Sequence, residues 1–268
     1  MKKLNLFYIS IFCICLFLCP GCGLEEYYVV EAPARRYTNP TITPSGEASE
    51  YSESYFSFET NDEGNSKISG NFKYMGTAVY YKIYNNYSTM NSHISTISSI
   101  SSSTNSSSAF PKLQSYGYQE LGVNKEKLID DDKKKSYSPL IEADSTNRKI
   151  VIRLTNYNEP KNVDKLKDWE YRAKILIGVD GTGSEKELYP MRQDNTKSFD
   201  FGRKNSSGDY DKPKSGEDDV NYGTASKDDV YYVTLYAVAV GRDNSFTNYY
   251  SNVFYLGSVA INASEENN

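Results

Sequence analysis

YYVTLYAVAVG, residues 231–241, is the stretch that decides the fold, because apolar and aromatic side chains recur in it at every second position. A period of two predicts a β-strand with one face in a core. The predicted core face carries Tyr231, Val233, Leu235, Ala237 and Ala239. A polar turn at 242–245 precedes a second run over residues 249–261. The two runs therefore predict a pair of antiparallel strands near the end of the chain.

Residues 76–85, GTAVYYKIYN, predict another long strand. One face carries Val79, Tyr81 and Ile83, and the opposite face carries Tyr80, Lys82 and Tyr84. Aromatic side chains are favoured on both surfaces of a covered sheet. We therefore expect this strand to lie in the centre of its sheet.

Shorter alternating runs predict the remaining strands. They lie at residues 56–59, at 150–154 and in a hairpin formed by 171–179 and 186–191, with its turn at Asp180–Gly183. Residues 130–135, DDDKKK, are a charge run typical of a solvated loop. Residues 202–229 contain few apolar side chains and are predicted to form a long loop.

The serine-rich segment at residues 86–108 has a different pattern. Its apolar side chains recur at intervals of three and four, the signature of one helical stripe, and are Tyr87, Met90, Ile94, Ile97 and Ile100. Serine and asparagine are mediocre helix formers, so a helix over about 86–103 needs the sheet to stabilise it. The alternative is a disordered serine linker.

The strand at 231–241 resembles the penultimate strand of fibronectin type III and related immunoglobulin-like sandwiches. The resemblance implies a corner role for Tyr231, whose hydroxyl would bond to upstream backbone. The strand at 79–83 is similar to that fold's third strand. The usual tryptophan of the second strand is absent, and Phe58 is the nearest candidate. The expected fold is mainly β, an antiparallel sandwich over residues 51–262 with a helical insertion, followed by a disordered tail at 263–268.

The N-terminus has the anatomy of a secretory signal peptide over residues 1–21. Lys2 and Lys3 precede an apolar run from Leu4 to Cys19, and a proline and Gly21 follow. The run is shorter than the roughly 20 apolar residues that a membrane-spanning helix needs.

Cys22 is the only one of four cysteines that follows a small residue, Gly21. In this it resembles the cleavage site of bacterial lipoproteins, especially the looser sites of spirochaete lipoproteins. The resemblance implies that Cys22 carries a thioether-linked diacylglycerol and an acylated amine, which anchor the chain to a membrane. Cleavage there removes the other three cysteines, so a disulfide framework is not expected. The alternative is an ordinary secreted protein cut after Gly21 or Gly23.

Residues 22–50 are predicted to form a lipidated cysteine and a flexible tether. Pro33, Pro40, Pro44 and Gly46 give this segment the composition of a spacer. A free coil of this length averages roughly 30 Å from end to end, which would lift the domain off the bilayer. Residues 27–30 are a possible exception, as a first edge strand.

The charge balance argues against nucleic acid as a partner. The formal net charge is −5, and loss of Lys2 and Lys3 with the leader makes the mature chain still more acidic. An acidic surface repels phosphate backbones.

The residues give little reason to expect catalysis, a metal or a cofactor. His93 is the single histidine, no Gly-x-Ser-x-Gly motif accompanies it, and zinc needs several His or Cys ligands. Asp180–Gly183 is explained by a hairpin turn, and Asp200–Gly202 lacks the companion motifs of a kinase. Glu217–Asp219 with Asp228 and Asp229 could bind calcium, but contiguous acids more often form a solvated loop.

The tyrosines opposite the predicted core face are the candidate binding residues. They are Tyr80, Tyr84, Tyr232 and Tyr236. Either the helix at 86–108 covers them, or they form an exposed aromatic surface for a protein or a carbohydrate.

Together these features predict a lipid-anchored lipoprotein of the bacterial cell envelope, on the outer membrane or facing the periplasm. It would serve as a non-catalytic adhesion, binding or structural module. One alternative is an envelope enzyme that acts on polysaccharide through carboxylates paired in space. Another is a periplasmic partner of a larger machine.

Overall fold

The computed structural model describes residues 28–38, 40, 42, 54–104, 106–123, 138–155, 173–178, 186–192, 196–202, 211–224 and 229–263. This part of the chain is mainly β, with antiparallel sheets and few helices. Its strands are β1 (Arg35–Arg36), β2 (Phe56–Glu59), β3 (Phe72–Tyr84), β4 (Gln119–Glu120), β5 (Gly122–Val123), β6 (Ile141–Glu142), β7 (Lys149–Arg153), β8 (Lys174–Ile177), β9 (Lys186–Leu188), β10 (Pro190–Met191), β11 (Val220–Asn221), β12 (Val230–Asp243), β13 (Asn248–Tyr250) and β14 (Phe254–Asn262). Its helices are α1 (Asp62–Asn65), α2 (Tyr87–Ser101) and α3 (Ala109–Ser115), with a 3-10 turn at Ser106–Ser108.

The larger sheet is built on β3 and β12, which pair antiparallel from Phe72 opposite Asp243 to Tyr84 opposite Tyr232. Strands β13 and β14 pair with the other edge of β12. Along the other edge of β3 lie β6, β4 and the parallel strand β11. Because both edges of β3 are paired, the prediction of a central strand is confirmed, as is the antiparallel pairing of β12 with β14.

The smaller sheet has the strand order β1-β2-β7-β8-β9, and every pair in it is antiparallel. The predicted hairpin is confirmed in its strands, since Ile175 of β8 lies opposite Leu188 of β9. Its turn at 180–183 lies outside the described residues, as does the charge run at 130–135. Strands β5 and β10 form a separate two-stranded ribbon.

One hydrophobic core lies between the two sheets. From the larger sheet it takes Tyr231, Val233, Leu235, Ala237, Val79, Tyr81 and Ile83, the inner faces that the alternation predicts. From the smaller sheet it takes Phe56, Phe58, Ile150, Ile152 and Ile175. Removal of these apolar side chains from water is the main force that holds the two sheets together.

The serine-rich segment is a helix, so the disordered-linker alternative is wrong. Helix α2 begins after Asn86, whose Oδ1 accepts a hydrogen bond from the Thr89 amide at 3.0 Å. Met90 and Ile97 of the predicted stripe are buried. The remaining stripe residues, Tyr87, Ile94 and Ile100, are partly buried against the same core clusters.

Helices α2 and α3 cover the outer face of the larger sheet. Ile97, Phe110 and Leu113 from the helical side pack in one cluster with Tyr80 and Val238 from the strands. The larger sheet is therefore covered on one face by the smaller sheet and on the other by helices.

Residues 28–38 correct the predicted tether, because they are folded onto the domain. Strand β1 pairs with β2, and the edge strand expected at 27–30 lies instead at Arg35–Arg36. Val30, only 6% exposed, clusters with Tyr74 and Ala239 on the larger sheet. Pro40 also lies on the domain, since a Cβ built on Gly257 would come within 2.6 Å of its ring. Pro33 and Pro40 therefore belong to a segment that packs on the domain.

The predicted long loop at 202–229 is also corrected. It contains β11, which runs parallel to β3, and the Ile83 amide donates to the Asp219 carbonyl at 3.0 Å. The tail predicted at 263–268 begins too early, because the Ala263 amide donates to the Asp229 carbonyl at 2.7 Å and holds this residue on the domain. Residues 264–268 lie outside the described part.

Candidate functional site

The four candidate tyrosines lie beneath the helical layer. Tyr80, Tyr84, Tyr232 and Tyr236 are 8%, 0%, 1% and 1% exposed. Of the two interpretations, the one in which the helix covers this face is confirmed. The proposed exposed aromatic surface is wrong for these residues, because the apolar stripe of α2 and the apolar side chains of α3 need the same face to bury themselves.

His93 joins this covered face through two tyrosines. Its Nδ1 lies 3.1 Å from the Tyr84 hydroxyl, which donates to the Tyr118 hydroxyl at 3.2 Å. The imidazole also stacks on the Tyr116 ring, with centroids 3.8 Å apart. Burial lowers the pKa of His93, and the positive charges of Lys82 and Lys112 lower it further. The imidazole is thus packed between the phenol groups of Tyr84 and Tyr116.

Lys82 brings a charged group to the same covered face of the larger sheet. Its Nζ donates to the carbonyls of Gly117 at 3.1 Å and Asp218 at 2.8 Å. Burial lowers the pKa of Lys82, while the nearby carboxylates of Asp219 and Asp218 act in the opposite direction. The side chain thereby ties the end of α3 to the loop before β11.

The buried ion pair of Arg192 and Asp219 lies on the inner face of the larger sheet. Arg192 Nε donates to Asp219 Oδ2 at 2.8 Å, and the Tyr81 hydroxyl donates to the same oxygen at 2.9 Å. Arg192 also pairs with Glu217, which pairs in turn with Lys197. Neither interpretation fits Glu217 and Asp219, because their carboxylates pair with cations of the chain itself and Asp219 is fully buried, whereas Asp218 between them is exposed. Asp229 pairs with Lys212, and Asp228 lies outside the described residues.

A further polar cluster surrounds Asp62, the first residue of α1. Its Oδ1 accepts from the Tyr74 hydroxyl at 2.9 Å, and its Oδ2 accepts from Arg148 Nη2 at 2.9 Å and Thr60 Oγ1 at 2.9 Å. Burial raises the pKa of Asp62, while Arg148, Thr60 and Tyr74 offset part of this effect. The cluster fixes α1 against the start of β7.

Tyr231, to which the resemblance gives a corner role, is buried and bonds to backbone. Its hydroxyl donates to the Pro213 carbonyl at 3.3 Å, an upstream backbone group. Burial raises the pKa of Tyr231 to about 12, so the phenol stays protonated. Phe201, from the motif that imitates a kinase loop, packs edge-on against this ring at 5.5 Å. That motif is therefore explained by the core.

The end of the domain that receives the N-terminal segment carries the most exposed large apolar side chains of the described residues. Val29 is 73% exposed, and Phe246, at the tip of the turn between β12 and β13, is 80% exposed. The sequence patterns do not predict this surface. Its only signal is a phenylalanine inside the polar stretch at 242–248.

Among the described residues, no cluster of three or more His, Cys, Asp or Glu side chains is placed to hold a metal ion. In the same part of the chain, no helix has the length and hydropathy of a membrane-spanning segment. Cys22 lies outside the described residues. Comparison of the chain with protein-family models, curated proteins and solved structures gave no match.

Proposed function

We propose that the protein is a lipid-anchored, non-catalytic module of the bacterial cell envelope, attached through acyl chains on Cys22. The leader over residues 1–21 and the glycine before Cys22 support this proposal. The observation that carries it is that Cys22 alone of the four cysteines follows a small residue, and Tyr28, six residues later, already packs on the domain. Cleavage at Cys22 would leave an anchor directly beside a folded domain.

The buried ionisable groups support a structural or binding role. Arg192, Asp219 and Asp62 make their contacts with other side chains of the chain itself. Buried charges used in this way hold loops and strands in register, which suits a module that presents surfaces to a protein or a carbohydrate.

We also propose that the β domain is a fibronectin type III or immunoglobulin-like sandwich. The inner-face alternation of β12 and the bond from Tyr231 to Pro213 support it. The helical layer and the parallel strand β11 are additions that such a domain would have to accommodate.

Metabolic labelling of a bacterial host with an alkyne fatty acid tests the proposal. The wild type and a Cys13→Ser variant, which alters another cysteine of the leader away from the cleavage site, should be labelled and recovered with membranes. A Cys22→Ser variant should be unlabelled and lose the membrane association that the lipid provides. An unlabelled wild type, or a Cys22→Ser protein still labelled and retained by membranes, would contradict the proposal.

A further inference from the structure

The distance between Cys22 and the folded domain is limited by the covalent chain. Tyr28 stacks on Phe72 with ring centroids 4.9 Å apart and meets Tyr249 edge-on at 5.4 Å. Six residues of fully extended chain span at most about 22 Å. A lipid on Cys22 therefore holds this end of the domain close to the bilayer, rather than lifting the domain away from it.

The hairpin tip that carries Phe246 lies at the same end. The Asn71 amide donates to the Tyr28 hydroxyl oxygen at 3.0 Å. The carbonyl of Asn71 accepts from the Asn244 amide, two residues before Phe246, at 3.1 Å. Asn71 thus joins the segment that carries Val29 to the tip of the turn between β12 and β13.

The turn holds Phe246 in an unfavourable position. Its φ is +63°, a left-handed conformation that a bulky side chain seldom adopts. Asp243 fixes the turn, because its Oδ1 accepts from the amides of Ser245 and Thr247, both at 2.8 Å, and its carbonyl accepts from the Phe246 amide at 3.1 Å. The hydrogen bonds of the turn thus hold a strained backbone conformation in which the Phe246 ring is exposed. This arrangement indicates that the ring contacts another surface.

We infer that this end of the domain rests on the bilayer, with the side chains of Val29 and Phe246 inserted at the boundary between headgroups and acyl chains. The inference rests on the proposed anchor at Cys22. A lipid surface is favoured over a protein partner because the six-residue link brings membrane to this end in every anchored molecule. Two apolar side chains would then add to the affinity that the acyl chains supply.

Fluorescent labelling of single cysteines in the lipidated full-length protein tests this inference. The acyl chain blocks the sulfur of Cys22, and cleavage removes the other native cysteines, so an introduced cysteine is the only free thiol. An environment-sensitive dye is placed in Val29→Cys, Phe246→Cys and, as the control, Tyr222→Cys. Tyr222 is 49% exposed and follows β11, which pairs with the opposite end of β3, roughly 40 Å from Phe72.

Each variant is reconstituted in phosphatidylcholine and phosphatidylglycerol vesicles. The dye at positions 29 and 246 should shift its emission to shorter wavelength and be quenched by spin-labelled lipid, while the dye at 222 should show neither effect. Vesicles that carry the protein but leave position 246 in water would overturn the inference and leave the anchor intact. Protein that does not float with vesicles would overturn both. Shielding of position 246 in cell membranes but not in protein-free vesicles would overturn it in favour of a protein partner.

Phe246→Gly checks that the effect comes from the side chain. Glycine adopts positive φ without strain, so this variant should keep the unfolding midpoint of the wild type. In the Val29→Cys background it should weaken quenching at position 29. Unchanged quenching at position 29 would contradict a joint insertion of the two side chains.

Discussion

Arg192 and Asp219 form a two-pronged ion pair in which neither side chain has exposed surface, with Nε to Oδ2 at 2.8 Å and Nη2 to Oδ1 at 3.0 Å. The two residues are 27 positions apart. The pair joins the residue that follows β10 to the loop that leads into β11. Because the Tyr81 hydroxyl donates to the same carboxylate, the pair connects this loop to the central strand of the larger sheet.

Arg192→Met should destabilise the fold strongly. The substitution leaves the Asp219 carboxylate buried without its cation, which typically costs about 3–5 kcal/mol. Urea unfolding at pH 7 measures the change. Lys67→Met, which breaks the exposed pair with Glu63, is the matched control and should change stability little. Equal effects of the two variants would show that the Arg192 pair is not buried as described.

Glu217→Gln should lower stability at neutral pH but not in acid. Burial acts to raise the pKa of Glu217, but bonds from Lys197 and the Lys214 amide, with the charge of Arg192, lower it below its ordinary value of 4.5. A lowered pKa in the folded state gives stability that is present above pH 4.5 and is lost as the pH falls through the lowered pKa. The expected loss at pH 7 is about 1.5–3 kcal/mol, the usual contribution of a hydrogen bond to a charged group, because the Glu217 side chain is only 12% exposed.

The measurement is urea unfolding of wild type and variant at a series of pH values. The difference between them should shrink as the pH falls below 4.5. A constant difference across this range would contradict the linkage.

Tyr236→Phe should leave stability unchanged or raise it by about 1 kcal/mol. The Tyr236 hydroxyl is buried and has no hydrogen-bond partner in the described structure, so its removal relieves an unsatisfied group. Tyr84→Phe is the matched comparison, because it removes the bonds to His93 and Tyr118 and should cost about 1–2 kcal/mol. Thermal unfolding of both variants distinguishes them, and a larger loss for Tyr236→Phe would show that its hydroxyl has a partner.

Ile97→Ala should cost about 2–5 kcal/mol, since Ile97 is fully buried between α2 and the larger sheet. Ser99→Ala, on the exposed side of the same helix, should be neutral or slightly stabilising because alanine is the better helix former. Urea unfolding measures both. A small effect of Ile97→Ala would mean that the serine-rich segment does not pack on the sheet.

The core faces of β3 and β12 could be predicted because successive side chains of a strand point to opposite faces of the sheet. The spacing of the α2 isoleucines likewise predicts that its stripe faces the sheet. These signals are local and depend on one element at a time.

The polar contacts could not be predicted in the same way. Arg192 and Asp219 lie in separate segments, and nothing in either segment marks a buried charge. The packing of residues 28–38 on the domain could not be predicted from composition. Prolines are common in spacers, but they also fit an extended segment that packs along the edge of a sheet. Phe246 stands alone in a polar turn, and its positive φ and 80% exposure depend on the folded turn rather than on any local pattern.

Mass spectrometry of the N-terminal peptide of the mature protein, purified from bacterial membranes, tests the central claim most directly. We predict a chain that begins at Cys22 and carries the mass of a diacylglycerol thioether. A chain that retains residues 1–21, or that begins with an unmodified residue, would contradict it.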